Sequence, residues 1–162
     1  MRKHTPYKYI KLTMMTICSV TDILNCGLPI SADIREEEIS LAIKTVSQFY
    51  LKNVIGSDLY AAICADTTHQ YDDIVLGTDT IGGLRLALEH GVFAYILYDT
   101  IRATRYGSVT KESSESGNPK REDVLALCKH HWEICNAFVM EVAESLQIEI
   151  PKTANNFIFN EL

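Results

Sequence analysis

The chain has 162 residues, 47% of them hydrophobic, and a formal net charge of −6. A chain of this length typically buries about 68–70% of its unfolded surface, so one domain with a substantial core is expected and disorder of the whole chain is not. The acidic balance argues against a protein that grips duplex nucleic acid, which needs a basic face to neutralise phosphates, but is compatible with a surface that DNA slides past.

The charge is unevenly placed. Residues 1–31 hold Arg2, Lys3, Lys8 and Lys11 against Asp22 alone, so this segment is +3 and the remainder −9. Five cysteines (Cys18, Cys26, Cys64, Cys128 and Cys135) are an odd number scattered through apolar stretches, which suits buried free thiols in a reducing compartment better than a disulfide framework. The run MMTICSV is short and lacks a convincing small-residue cleavage site after it, so no signal peptide is expected. No window approaches the roughly 20 apolar residues of a membrane span, and no membrane partner is expected.

Residues 1–30 show no helical period and predict an N-terminal arm with one strand. SADIREEEI then offers Ser31 or Asp33 as an N-cap, followed by three glutamates in a first turn where the helix dipole favours negative charge. Ile39, Ala42, Ile43, Val46, Phe49, Tyr50 and Val54 recur at three and four, predicting a first helix over about 33–53 with one buried stripe. Gly56 is placed to end it and Ser57 to cap a second, whose short apolar face is Leu59, Tyr60, Ile63 and Cys64.

After the polar residues 66–73 and the segment GTDTIGG, Leu84, Leu88, Val92, Tyr95, Ile96, Asp99 and Arg102 predict a third helix over 84–106. Ala87, Gly91 and Ala94 beside them would let another helix approach closely. Gly107 stops it, and a polar, serine-rich loop follows. Asn118, Pro119, Glu122 and Asp123 then give an N-cap, an N1 proline and an acidic first turn in succession. A fourth helix is predicted over 119–147 on Val124, Leu127, Cys128, His131, Trp132, Cys135, Phe138, Val139, Val142 and Leu146. The whole predicts an all-α, compact bundle of about four helices over 31–147, with an extended C-terminal tail over 148–162.

Cys128, His131 and Cys135 share a helical face beside His130 and carry zinc-type ligands, but a closed site needs four ligands and no CxxC pair supplies the rest. The stripe is therefore read as core, and no metal or other cofactor is expected. The same geometry disfavours a Cys–His nucleophile. The pairs Asp72-Asp73 and Glu122-Asp123 and the run Glu36-Glu37-Glu38 fit helix first turns or a solvated loop better than acid–base catalysis. GTDTIGG lacks the GK[ST] ending of a phosphate loop, so its glycines serve a turn. Arg102 and Arg105 beside Tyr106 suit the negative end of a helix dipole more than a nucleic-acid contact. No catalytic residue is assigned, and no enzymatic activity is expected.

Two stretches carry a resemblance. FYLKNVIGSDLYAAI, through Leu51, Val54, Ile55, Gly56, Leu59 and Tyr60, resembles the hydrophobic Gly-x-x-Leu-Tyr corner near the start of head–tail connector (adaptor) proteins of tailed bacteriophages. RYGSVTKESSESGNP is similar to the Gly-x-Val, serine-rich loop that follows the third helix in such proteins. A ring protein of a crAss-like phage is compatible with the same pattern.

The resemblance implies an all-helical structural subunit of the virion, made in the host cytoplasm. It would assemble as a ring, commonly twelve-fold, that joins the portal to the tail and surrounds the DNA channel. Its partners would be further copies of itself, the portal protein, other connector or tail proteins, and genomic DNA passing without sequence-specific binding. Gly56, Leu59 and Tyr60 would form the structural corner. Gly107, Ser108, Val109, Lys111, Ser113 and Ser114 would form an interface or channel loop, and Phe157, Ile158 and Phe159 a docking tail. A small helical metal-binding enzyme and a regulatory helical module are the competing classes; stoichiometric zinc would mark the first and salt-sensitive duplex binding the second.

Overall fold

The computed structural model describes residues 17–31, 33–105 and 121–150. Every regular element among them is helical, so the chain is all-α. In chain order they are α1 (Val20–Asn25), α2 (Glu36–Thr45), a π-helical segment (Val46–Leu51), α3 (Lys52–Ile55), α4 (Ser57–Ala65), α5 (Asp72–Leu76), α6 (Gly83–Arg105) and α7 (Arg121–Ser145). The layout is less uniform than a bundle of about four helices. Two long helices, α6 and α7, run antiparallel; a rod made of α2, the π segment and α3 lies over them, and three short helices fill the ends.

The segment read as an arm with a strand contains α1 instead. Ser19 and Asp22 form a reciprocal capping box: the Asp22 N–H donates to Ser19 Oγ (3.1 Å) and the Ser19 N–H to Asp22 Oδ2 (2.8 Å). Ile17, Cys18 and Ile23 are buried in the common core. Arg85 of α6 fixes this segment, its Nε donating to the Ile17 carbonyl (3.3 Å) while Nη1 lies 3.8 Å from Asp22 Oδ1.

The rod begins later than Ser31 or Asp33. The Ser31 hydroxyl accepts from the Asp33 N–H (3.3 Å) inside a preceding turn, so neither residue reaches a helix N–H as a cap. Arg35 occupies the cap position, and Glu38 reaches back to its N–H (3.4 Å) and its guanidinium (2.6 Å). The three glutamates do sit in the first turn.

Beyond Thr45 the rod widens into the π segment. This turn takes up more residues than an α-turn, so the register of the buried face changes. Val46, Ser47, Tyr50, Leu51, Val54 and Ile55 are buried, whereas Phe49, expected on the core stripe, is 58% exposed. Ile39, Ala42, Val46, Tyr50 and Val54 of the expected stripe are buried, and Phe49 is the member that the π segment turns outward.

The core is built by α6 and α7 against the rod. Leu84, Ala87, Leu88, Val92 and Ala94 from α6 meet Trp132, Cys135, Val139 and Val142 from α7 and Ile39, Val46 and Leu51 from the rod. The small residues of α6 have the expected consequence: a Cβ on Gly91 would lie 2.8 Å from Cys135 Sγ and 3.1 Å from a Val46 methyl. Leu127, expected on the α7 stripe, is 40% exposed.

Candidate functional site: the corner, the outer rod face and the α6–α7 seam

The corner at Gly56 is one residue long. Gly56 ends α3, its N–H donating to the Lys52 carbonyl (3.0 Å), and at the same time precedes α4, its carbonyl accepting from the Tyr60 N–H (3.0 Å). Its φ of 88° with ψ of 150° lies in a region that is essentially restricted to glycine. Ser57, expected as the cap, is the first residue of α4 and makes no capping hydrogen bond.

Leu59 and Tyr60 are half-buried and pack on the core. The Tyr60 hydroxyl accepts from Gln48 Nε2 of the π segment (3.3 Å), which ties α4 back to the rod. Burial and the neighbouring Cys64 thiol push this hydroxyl up to about 12, so it stays neutral and hydrogen-bonding. Gly56, Leu59 and Tyr60 thus lie together where α3 meets α4, with Leu59 and Tyr60 packed on the core.

On the opposite side of the rod, Leu41, Thr45, Phe49 and Asn53 follow one another at intervals of four. The Thr45 hydroxyl donates to the Leu41 carbonyl (2.8 Å) and the Asn53 side-chain amide to the Phe49 carbonyl (2.7 Å). Both polar side chains are thus folded against their own backbone. The two apolar ones are turned outward, Leu41 60% and Phe49 58% exposed.

At the α6–α7 seam, His90 and His131 meet with their Nδ1 atoms 2.8 Å apart and their rings stacked, centroids 5.0 Å apart. Phe93 contacts His131 edge-on at 4.7 Å, and His130 stands beside it at 5.4 Å. Burial, then the neighbouring imidazoles, hold His90 below the usual histidine value; burial, then His130, does the same to His131. Nothing in the local pattern marks His90, because its partner lies 41 residues away. Tyr50 was similarly hidden in a hydrophobic stripe: its hydroxyl donates to Asn136 Oδ1 of α7, and its ring lies 4.6 Å from that of Trp132.

The cysteine stripe of α7 is core. Cys128 and Cys135 are fully buried; burial pushes the Cys128 thiol up to about 11 and raises that of Cys135 further. Metal binding requires thiolates, which this surrounding disfavours. Among the described residues no three His, Cys, Asp or Glu side chains come together as a metal-binding group.

GTDTIGG forms a closed turn. The Thr78 N–H donates to the Ile81 carbonyl (2.8 Å), and the Gly82 N–H donates to Glu141 Oε2 of α7 (3.3 Å). A Cβ on Gly82 would fall 2.1 Å from the Phe138 ring, so this glycine exists for close approach to α7.

The expected loop residues Gly107, Ser108, Val109, Lys111, Ser113 and Ser114, and the tail residues Phe157, Ile158 and Phe159, lie outside the described residues. Among the described residues no helix is long and apolar enough to cross a membrane. No family model matches the chain, and neither does any curated protein or solved structure.

Proposed function

We propose that the chain is a structural virion protein, one subunit of a ring that joins the portal of a tailed phage to its tail. The observation that carries this reading is the outer face of the rod, where Leu41 and Phe49 stand exposed while Thr45 and Asn53, between and beyond them, are tied to backbone. A second copy of the same chain is the occupant this face suits, because a head-to-tail contact between different faces of identical subunits closes a ring when its rotation allows. The Gly56 corner sets the angle of α4 against that rod, which is the kind of fixed shape a ring subunit needs. The acidic net charge suits a channel wall that lets DNA pass.

In this role no residue reacts. The side chains of the corner and seam hold a shape, and the 107–118 loop and the 148–162 tail would reach neighbouring subunits, the portal or other connector proteins. Mass measurement of the native full-length protein tests the reading. A large ring, or a monomer that enters a ring only when portal protein is added, supports it. A stable dimer carrying stoichiometric metal would overturn it. Leu41→Glu with Phe49→Glu should abolish ring formation while leaving a folded monomer by circular dichroism.

A further inference from the structure

The two long helices of this subunit touch through a pair of histidines, one from each. A neutral Nδ1–Nδ1 hydrogen bond requires one ring to carry its proton on Nδ1 and the other on Nε2. One further proton, taken up at the donor ring's free Nε2, leaves the contact intact and makes it charge-assisted. A second must go to the accepting Nδ1, so that two N–H groups and two positive charges then face each other across 2.8 Å.

We propose that the His90–His131 contact is an acid-released clasp between α6 and α7, closed while the two rings share at most one added proton and opened when both become imidazolium. It belongs to the folded subunit and holds whether or not the chain forms a ring.

The surroundings favour this behaviour from every side. On α7 the nearby titratable groups are His130, of the same sign when charged, and the buried, neutral thiols Cys128 and Cys135. On α6 the neighbour is Phe93, and Phe138 of α7 lies 6.3 Å from the His90 ring. Glu89, next to His90 in sequence, interacts with Asp22 and Arg85 on the α1 side. The rod contributes Val46 beside Gly91. Burial is the main cause that lowers both rings, and among the described residues the charges that add to it are imidazoles.

Both histidines have lowered values in the folded chain. Stability from the pair is therefore complete above the unfolded value of 6.5 and is lost progressively as the pH falls below it, because the two unfolded rings then bind two protons where the folded pair accepts one and refuses the second. The location gives this loss a direction. His90 is next to Gly91 and His131 is four residues from Cys135, so opening the clasp would loosen α6 and α7 at the tight Gly91–Cys135 approach.

The experiment is denaturant unfolding of the full chain at pH 7 and pH 5, for wild type and His90→Gln. The folding constant of the wild type should fall on the order of tenfold more than that of the variant. Equal falls would overturn the clasp. Should the variant not fold, 15N ring spectra of the wild type decide. One Nδ1–H and one Nε2–H tautomer at neutral pH, with the second protonation well below 6.5, support the proposal; two rings titrating independently near 6.5 overturn it.

Discussion

Gly91 of α6 lies so close to Cys135 of α7 that a Cβ at position 91 would sit 2.8 Å from the Cys135 sulfur. Neither partner can move away freely, since Cys135 is fully buried and a Val46 methyl from the rod closes the other side at 3.1 Å. Gly91→Ala should therefore cost about 1–3 kcal/mol by overpacking, despite the better helix propensity of alanine. Adding Cys135→Ala should recover part of that loss, a non-additivity that urea unfolding of the two singles and the double will show. A Gly91→Ala protein as stable as the wild type would mean the helices are farther apart than described.

Tyr50 and Asn136 join the π segment to α7. Tyr50→Phe keeps the ring on Trp132 but leaves Asn136 Oδ1 without this donor, so a loss of about 1–2 kcal/mol is expected in chemical denaturation. The same loss should not be repeated when Asn136 is already alanine. If the two losses simply add, the hydroxyl and amide are not coupled.

At Gly56 no neighbouring atom lies within 4 Å of a built Cβ, so space is not the constraint there. The constraint is the backbone at φ 88°, ψ 150°, where a β-branched residue is strained. Gly56→Val should destabilise by about 1–3 kcal/mol and, on the proposed ring assembly, lower ring yield in the native mass measurement. Unchanged stability together with unchanged assembly would show that α4 does not depend on this pivot.

The thiols should divide into two classes. Cys26 and Cys64 are half-buried, whereas Cys18, Cys128 and Cys135 are buried, with burial the main cause that pushes Cys18 up to about 12 and Cys128 to about 11. Burial raises the Cys26 and Cys64 thiols as well, but a disulfide reagent at pH 8 should still react with these two faster than with the other three, which it reaches only at the rate of unfolding. Five equally fast thiols would contradict the buried core.

Much of the architecture was legible from local pattern. The period of three and four in residues 84–106 and 119–147 marks long helices because each buries one continuous face, and α6 (Gly83–Arg105) and α7 (Arg121–Ser145) keep those faces. The Gly-Ser step announced a corner, although Gly56 alone makes it. The S-x-x-D signature of Ser19 and Asp22 was also present, and it marks α1, which the absence of periodicity in so short a helix concealed.

The chain's own residues thus determine helix positions, capping carboxylates and the glycine pivot, because these depend on neighbours within about one turn. Only the tertiary structure decides the rest. The π segment turns Phe49 outward and Ser47 inward, since its wider turn is a register change that a fixed period cannot represent. The pairing of His90 with His131, and of Tyr50 with Asn136, depends on how two helices and a rod are set against each other. That setting follows from the depth to which Gly91 and Gly82 let α7 approach, a property of the packed whole and of no single stretch.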